Sequence, residues 1–345
     1  MTDGGALEGA SMDGATSSDS AATDAAVDAG KDTSAGNDSS SVQDSSTVDT
    51  GDAMTEAGPE CEGGACPVET VVGGLRQATT LLVDANNVYI SDPGTVTGNV
   101  YQCAKGGCAT PTTLGPGYAT GLGVDGANVY WSEFAGDQIV ACAIGGCSNE
   151  PTAIAPGQVH AGGLTFDGVN LYWAASGSVV TCVPPGCTTR NAIATGQSVA
   201  IVEVAAQTGV AYWTNGPSLE SCPVSGCGTT PTPVGPTTGT SMALYGGFIY
   251  FINDNAVVSC PTGGSCPSPH TIGSSTDPYG LATDGVDVYW LDDDEEVVYR
   301  CPVTGCSGGP EHFADGQLTA PGANIAVDGE YAYWAVPEQV LRKHK

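Results

Sequence analysis

The chain has 345 residues, a formal net charge of −30 at pH 7, eight lysines and arginines in total, and fourteen cysteines. Eight basic residues cannot build a face that neutralises phosphates, so nucleic acid and anionic membrane surfaces are excluded as partners. No stretch is long and apolar enough to cross a bilayer as a helix, and the surplus acidity means solubility first, with recruitment of cations as its functional alternative.

Residues 1–60 carry thirteen acidic residues against one basic residue, Lys31, with one proline and no aromatic residue. Such a segment has little to bury and repels itself, so it is expected to be a disordered acidic low-complexity spacer. The opening MTDGGALEGA shows neither the charged nor the apolar region of a signal peptide. The expectation is that Met1 is not the true start and that a leader has been lost upstream. From Cys61 onward Tyr, Trp, Val and Gly rise, and residues 61–345 are long enough for a single domain.

The cysteines fall into seven local pairs: Cys61 with Cys66, Cys103 with Cys108, Cys142 with Cys147, Cys182 with Cys187, Cys222 with Cys227, Cys260 with Cys266 and Cys301 with Cys306. Six are C-x4-C and one is C-x5-C, wider than the close pairs typical of structural zinc. An even count at regular spacing reads as disulfides formed in an oxidising compartment.

A repeat runs through the same region. Tyr followed by a large apolar residue recurs at Tyr89–Ile90, Tyr130–Trp131, Tyr172–Trp173, Tyr212–Trp213, Tyr250–Phe251, Tyr289–Trp290 and Tyr333–Trp334, at spacings of 38 to 44 residues. An aspartate stands five residues before the tyrosine in five units (Asp84, Asp125, Asp167, Asp284 and Asp328), and Gly follows it in four, a tight-turn signal. Gln207 and Tyr245 replace it in the fourth and fifth units. Each unit then reads as a Tyr–Trp strand, a polar loop, a third strand ending at the first cysteine, and a fourth strand opened by the second. A period near 40 with four short strands per unit is the signature of a propeller blade. The fold class expected is all-β: a seven-bladed β-propeller of four-stranded antiparallel blades. Each disulfide would staple the hairpin leading to the outermost strand, worth roughly 2 kcal/mol on the chain-entropy model. Pro111, Pro151, Pro231, Pro269 and Pro310 would blunt the outer edges.

The last unit lacks its cysteine pair, while CEGGACPVETVVG at 61–73 supplies a pair and a strand with no unit before it. Residues 61–75 should therefore form the outer strand of the last blade and close the ring. A closed ring with guarded edges favours a monomer. Counting from the aspartate position, the residues three before it (Leu81, Leu122, Leu164, Val204, Met242, Leu281, Ile325) should pack between blades. Those four before it (Thr80, Gly121, Gly163, Glu203, Ser241, Gly280, Asn324) should face the central channel, and only Glu203 among them is charged.

The aromatic strands resemble YWTD-type and NHL-like propeller repeats, nearest at YWTN (Tyr212 to Asn215), with the pattern spanning 77–345. The cysteine-stapled version behind an acidic spacer looks like Cys-rich repeat lipoproteins of Gram-negative bacteria. These resemblances imply an extracellular or surface-tethered binding or scaffold module.

Propellers usually work from the face carrying the second-to-third-strand loops and the blade connections. There the sequence places Tyr118, His160, Asp277 and Tyr279 around the channel mouth, with Glu203 just inside, as candidate ligand-binding residues for a protein, peptide or glycan. Asp92, Glu133, Asp137 and Asp254 stand in the loops of the same face. The run Asp292, Asp293, Asp294, Glu295, Glu296 offers carboxylates suited to calcium, with Asp292, Asp293 and Asp294 as the candidate ligands, but it lacks the spaced ligands and turn glycine of a calcium loop; a solvated acidic rim is the competing reading. No cofactor is otherwise implied. No nucleophile or phosphate-binding motif is present. The alternative to a binding module is a metal-assisted lyase or hydrolase at the channel mouth using Glu203 and His160, although one His with one Glu falls short of the usual acid/base constellation. His270 and His312 fall on outer strands and His344 on the tail.

Overall fold

The computed structural model describes residues 61, 66–94, 98–197, 201, 203–239, 241–317 and 323–345. The expected spacer, 1–60, lies outside these residues. Among those described, the strands form seven sheets of four antiparallel strands each. Blades 1 to 6 are consecutive in sequence: Thr80–Pro116, Leu122–Pro156, Gly162–Ala194, Val204–Pro236, Met242–Ser274 and Pro278–Asp315. Blade 7 takes its first three strands from Ile325–His344 and its outer strand from Val68–Gly73. The first strands of successive blades touch one another all the way round, and blade 7 touches blade 1, so the ring is closed.

The Tyr–Trp dipeptide explains how blades adhere. Successive strand residues point to opposite faces, so the tyrosine of one blade and the aromatic residue of the next meet in a shared layer. Tyr89 packs with Trp131, Tyr130 with Trp173, Tyr172 with Trp213, Tyr212 with Phe251, and Tyr250 with Trp290. The apolar positions Leu81, Leu122, Leu164, Val204, Met242, Leu281 and Ile325 are all buried between blades, as expected. The tryptophan needs a small residue on the preceding outer strand. A Cβ on Gly273 would lie 2.8 Å from Trp290, and one on Gly115 3.1 Å from Trp131. At the ring seam this exchange is reversed. Val72 occupies the outer strand of blade 7, and Ile90 of blade 1 stands where the other blades have Trp or Phe, both fully buried in one cluster.

The repeated aspartate does more than mark a turn. One oxygen of Asp125 accepts the backbone N–H groups of Ala127 (2.9 Å) and Asn128 (2.7 Å), and the other accepts the Tyr130 hydroxyl (2.5 Å). Asp84, Asp167 and Asp328 make the same three bonds in blades 1, 3 and 7. In blade 6, Asp284 holds the turn but gives its second oxygen to Lys345. In Asp84 and Asp125 burial would raise the carboxyl, but the tyrosine hydroxyl and the turn amides outweigh it and hold both below the ordinary range. Blades 4 and 5 close the same hairpin with Thr208–Gly209 (φ 50° and 75°) and Gly246–Gly247 (φ 59° and 83°). Both central residues are left-handed there, the geometry of a two-residue hairpin turn that needs no capping carboxylate, which is why Gln207 and Tyr245 are tolerated.

All seven cysteine pairs are disulfides within their own C-x4-C or C-x5-C, with Cα separations of 4.4 to 5.9 Å. Two expectations need correction. The second cysteine does not open the fourth strand. Cys108, Cys147, Cys187, Cys227, Cys266 and Cys306 all lie in the connection before it, and the strands that follow begin only at Thr112, Thr152, Arg190, Thr232, His270 and Glu311. Likewise Pro111, Pro151, Pro231, Pro269 and Pro310 each stand one residue before the outer strand, where the missing N–H costs no ladder bond.

The cysteine turn is also an inter-blade joint. The N–H of Cys108 donates to Val71 O (3.0 Å), Cys227 to Ile193 O (2.8 Å), Cys266 to Val234 O (2.6 Å) and Cys306 to Ile272 O (2.9 Å), each carbonyl on the preceding blade's outer strand. In blade 2 the contact is made by sulfur, with Cys147 Sγ 3.1 Å from Leu114 O. Cys187 of blade 3 departs from the others. It is left-handed, at φ 43°, and its N–H turns back to Val183 O (3.3 Å) within its own hairpin. In blades 1, 4, 5 and 6 the disulfide therefore holds the shape of a turn that grips the neighbouring blade through a backbone bond.

The seam is reinforced by charge. Glu69 of the N-terminal strand lies in register with Arg342 and forms an ion pair with it at 2.7 Å. Arg342 also donates to Lys105 O (2.6 Å) and covers the Tyr331 ring. Lys105 pairs with Asp328 and Lys345 with Asp284, both at 2.5 Å. Three of the chain's eight basic residues thus join blade 7 to blades 1 and 6 and to its own outer strand.

Candidate functional site

The first strands enclose a central channel of about 640 Å³, within the range of small-molecule sites. Six of the seven predicted channel positions line it, namely Thr80, Gly121, Gly163, Glu203, Ser241 and Asn324. Four of its polar side chains join neighbouring blades. Thr80 donates to Ala119 O (3.2 Å), Gly163 N–H donates to Thr120 (3.2 Å), and Gly280 N–H donates to Ser241 (3.1 Å). Glu203 accepts the Met242 N–H in the same manner. Loss of hydration pushes its carboxyl up to about 8, a rise that the Met242 bond only partly offsets.

Of the predicted mouth residues, Tyr118 and Tyr279 line the channel with Glu203, whereas His160 and Asp277 stand outside it on the same face. His160 is exposed at φ 55°, with its N–H donating to Asp137 (2.8 Å). Its ring stacks on Phe134 at 5.3 Å, and Phe134 meets Tyr118 at 6.3 Å. These three rings form an exposed aromatic platform; Tyr118 is 49% and Phe134 43% exposed. Phe134, in the loop between the second and third strands of blade 2, was not singled out from the sequence.

Tyr118 departs from a structural rule. In blades 3, 4 and 7 the inter-blade connection carries Gly–Gln, and Gln158, Gln197 and Gln317 accept the buried indole N–H of Trp173, Trp213 and Trp334 at 3.0 to 3.4 Å. At blade 2 the pair is Gly117–Tyr118; the tyrosine turns outward, and the Trp131 N–H has no partner among the described residues. Leaving a buried donor unmet costs about 1–3 kcal/mol. A local rule broken at such a cost marks a position used for something other than stability.

The acidic run does not converge. Asp292 is fully buried, accepting Thr276 Oγ1 (3.1 Å), Asp277 N–H (2.9 Å) and Glu295 N–H (2.9 Å). It ties down the connection between blades 5 and 6, as Asp92 does for Arg76 and Gln77 at the entry to blade 1. Asp293 and Asp294 are exposed. Burial raises the Tyr279 hydroxyl above its ordinary range, and Asp293, Asp292 and Asp277 add to the rise. Among the described residues, the one group of three His, Cys, Asp or Glu ligand atoms within 4.8 Å of one another is Cys61, Cys66 and His344, and its two cysteines are disulfide-bonded. The remaining histidines are peripheral: His270 contacts Thr304 O and His312 pairs with Asp315, both on outer strands.

No protein family matches the chain's sequence, and no curated protein matches it. Solved structures do match in shape. A catalytically inactive His-to-Ala variant of virginiamycin B lyase from Staphylococcus aureus, bound to quinupristin, shares 15% identity over 81% of this chain and 99% of its own, at a TM-score of 0.62. A streptogramin B lyase shares 10% identity over 81% and 97% of the two chains, at 0.65. The extracellular domain of the hybrid two-component protein BT4673 from Bacteroides thetaiotaomicron shares 12% over 80% of this chain and 39% of its own, at 0.57. At these identities the likeness carries the fold alone: the chain is a seven-bladed β-propeller.

Proposed function

We propose that this propeller is a non-catalytic binding module of an oxidising, extracellular compartment, and that its ligand docks over the channel mouth on the Tyr118–Phe134–His160 platform. The platform carries the reading: three neighbouring exposed rings, Phe134 stacked on His160 and tilted against Tyr118, stand at a 640 Å³ channel that Tyr118 lines, and Tyr118 sits where blades 3, 4 and 7 use a capping glutamine. The seven disulfides support the compartment. Exposed aromatic faces bind sugar rings and apolar or cationic side chains alike, so a peptide or glycan is the class of partner. The test is binding to peptide and glycan arrays by the wild type and by Phe134→Ala, which removes an exposed ring. Binders lost in the variant support the platform; binders all retained refute it.

A second reading, lyase or hydrolase chemistry, draws on the fold shared with virginiamycin B lyase. It would use Glu203 and His160, and the other three histidines lie too far out to join them. Turnover of quinupristin by the purified protein, lost in His160→Ala, would establish it in place of the binding module.

A further inference from the structure

The geometry points to a cationic ligand: a primary ammonium at the end of an apolar chain, as in a lysine side chain, that crosses the aromatic platform and enters the channel to meet Glu203. This rests on the channel-mouth reading above and names the chemistry of its ligand.

Three observations converge. First, the job Glu203 does for the fold does not need a carboxylate. It accepts one N–H across a blade junction, and at the next junction Ser241 does the same with a hydroxyl. A carboxylate has about four acceptor positions, so the bridge to Met242 uses a minority of those on a side chain that lines the channel. Second, the lining contains no Lys, Arg or His among the described residues; Tyr118 and Tyr279 are its other titratable groups. No cation in the channel compensates the charge of Glu203, and dehydration, opposed only by the Met242 bond, raises its proton affinity to about 8. An entering ammonium would supply the missing charge and expel the proton. Third, the approach is matched. The platform rings can take a methylene chain or the cation itself, and Glu133, Asp137 and Asp277 stand on the same face of a protein of net charge −30, which draws cations in and repels anions. A channel of 640 Å³ is far roomier than a bare metal ion needs, and one carboxylate is too few for calcium.

The test uses calorimetric titration of the full chain with phenylbutylamine, its neutral isostere phenylbutanol, and calcium chloride alone. The amine should bind and the alcohol should bind at least ten-fold more weakly. Binding should release a proton at pH 7, seen as a dependence of the heat on buffer ionisation enthalpy. For a ligand selective for the ionised carboxyl, a proton affinity of about 8 makes apparent affinity about 90-fold weaker at pH 6 than at pH 9. His160 stands on the same face, so the profile is also recorded on His160→Gln, where the slope should persist. In Glu203→Gln, checked for a native melt, the preference for amine over alcohol and the proton release should vanish, while Glu203→Asp should retain both in part. Equal binding of amine and alcohol, lost in Phe134→Ala, would overturn the cation and leave the platform standing. No binding of the amine, or binding unchanged in Glu203→Gln, would overturn it as well, and calcium binding that depends on Glu203 would replace the ammonium with a metal.

Discussion

Replacing Asp125 with alanine removes three hydrogen bonds at once, from Ala127 N–H, Asn128 N–H and the Tyr130 hydroxyl. The two turn amides lie near the surface and regain water, so their loss costs about 1 kcal/mol together. Tyr130 is 0% exposed, and stranding its hydroxyl costs a further 1–3 kcal/mol or so. Asp125→Ala should therefore destabilise by about 3 kcal/mol, a fall in Tm of roughly 6–12 °C for a domain of this size. Tyr130→Phe, which leaves the turn intact, should cost about 1 kcal/mol. The double variant should be less damaged than the sum, with a coupling of about 1.5 kcal/mol, because once the tyrosine hydroxyl is gone the alanine strands nothing. Urea unfolding of the four proteins reads this directly. In acid the same carboxyl, held below its unfolded value of about 3.9, contributes stability that is complete above that pH and is lost as the pH falls through the folded value. The difference between wild type and Asp125→Ala should narrow accordingly below pH 4. An Asp125→Ala protein within 0.5 kcal/mol or so of wild type, or zero coupling with Tyr130→Phe, would refute the double role of the aspartate.

The remaining expectations concern volume, charge and pH. Ile90→Trp should overpack against Val72 and destabilise by about 1–3 kcal/mol; adding Val72→Gly should recover much of that, since Trp against Gly is the arrangement used at Trp131 and Trp290, and thermal melts of the single and double variants decide it. Arg342→Ala removes a half-buried pair with Glu69 and a bond to Lys105 O, and should lower stability by about 1–3 kcal/mol, with protease entry near the C-terminal strand as the readout. Glu203→Gln should be more stable than wild type at neutral and alkaline pH. The folded state holds the Glu203 proton up to about pH 8 while the unfolded chain releases it near pH 4, so wild type loses stability across that window by at most about 1.4 kcal/mol per pH unit. A difference that does not grow with pH would refute the dehydration of Glu203 in the channel.

The propeller was legible because its signals are local and repeated. A Tyr–Trp dipeptide obeys the two-residue period of a strand, and seven copies set the blade count. The placement of the N-terminal strand followed from a cysteine pair without a unit at one end and a unit without a pair at the other. Counting from the aspartate placed six of seven positions on the channel lining, but Leu81, Leu122, Leu164, Val204 and Met242, expected between blades, line it as well. What could not be read were relations between units. That the cysteine turn grips the blade before it depends on two hairpins lying side by side, about 40 residues apart in sequence, and no single unit displays it. Nor do the letters show that Cys187 turns inward while Cys108 and Cys227 reach across. Phe134 looked like an unremarkable loop residue because its partners, Tyr118 and His160, come from two different blade connections. One signal was available: Gly–Gln precedes three of the tryptophan strands, and its replacement by Gly117–Tyr118 is visible in the letters once the glutamine is known to hold an indole.

The reversed pair at the seam, Val72 against Ile90, bears on how the ring is assembled. Seven blades of similar pattern offer a free N-terminal strand several look-alike edges, in its own chain and in others during synthesis at high concentration. Valine will not fit over a tryptophan, so the edges beside Trp131, Trp173, Trp213, Trp290 and Trp334 reject the strand by bulk; the Glu69–Arg342 pair adds hold and no address, because Arg300 makes the same pair with Glu311 in blade 6. The correct site lies 273 residues away along the chain, making closure the longest-range and so the slowest pairing in the fold. The mismatch in size gives the strand an address, so that slow closure ends on its own molecule and not on a neighbour's.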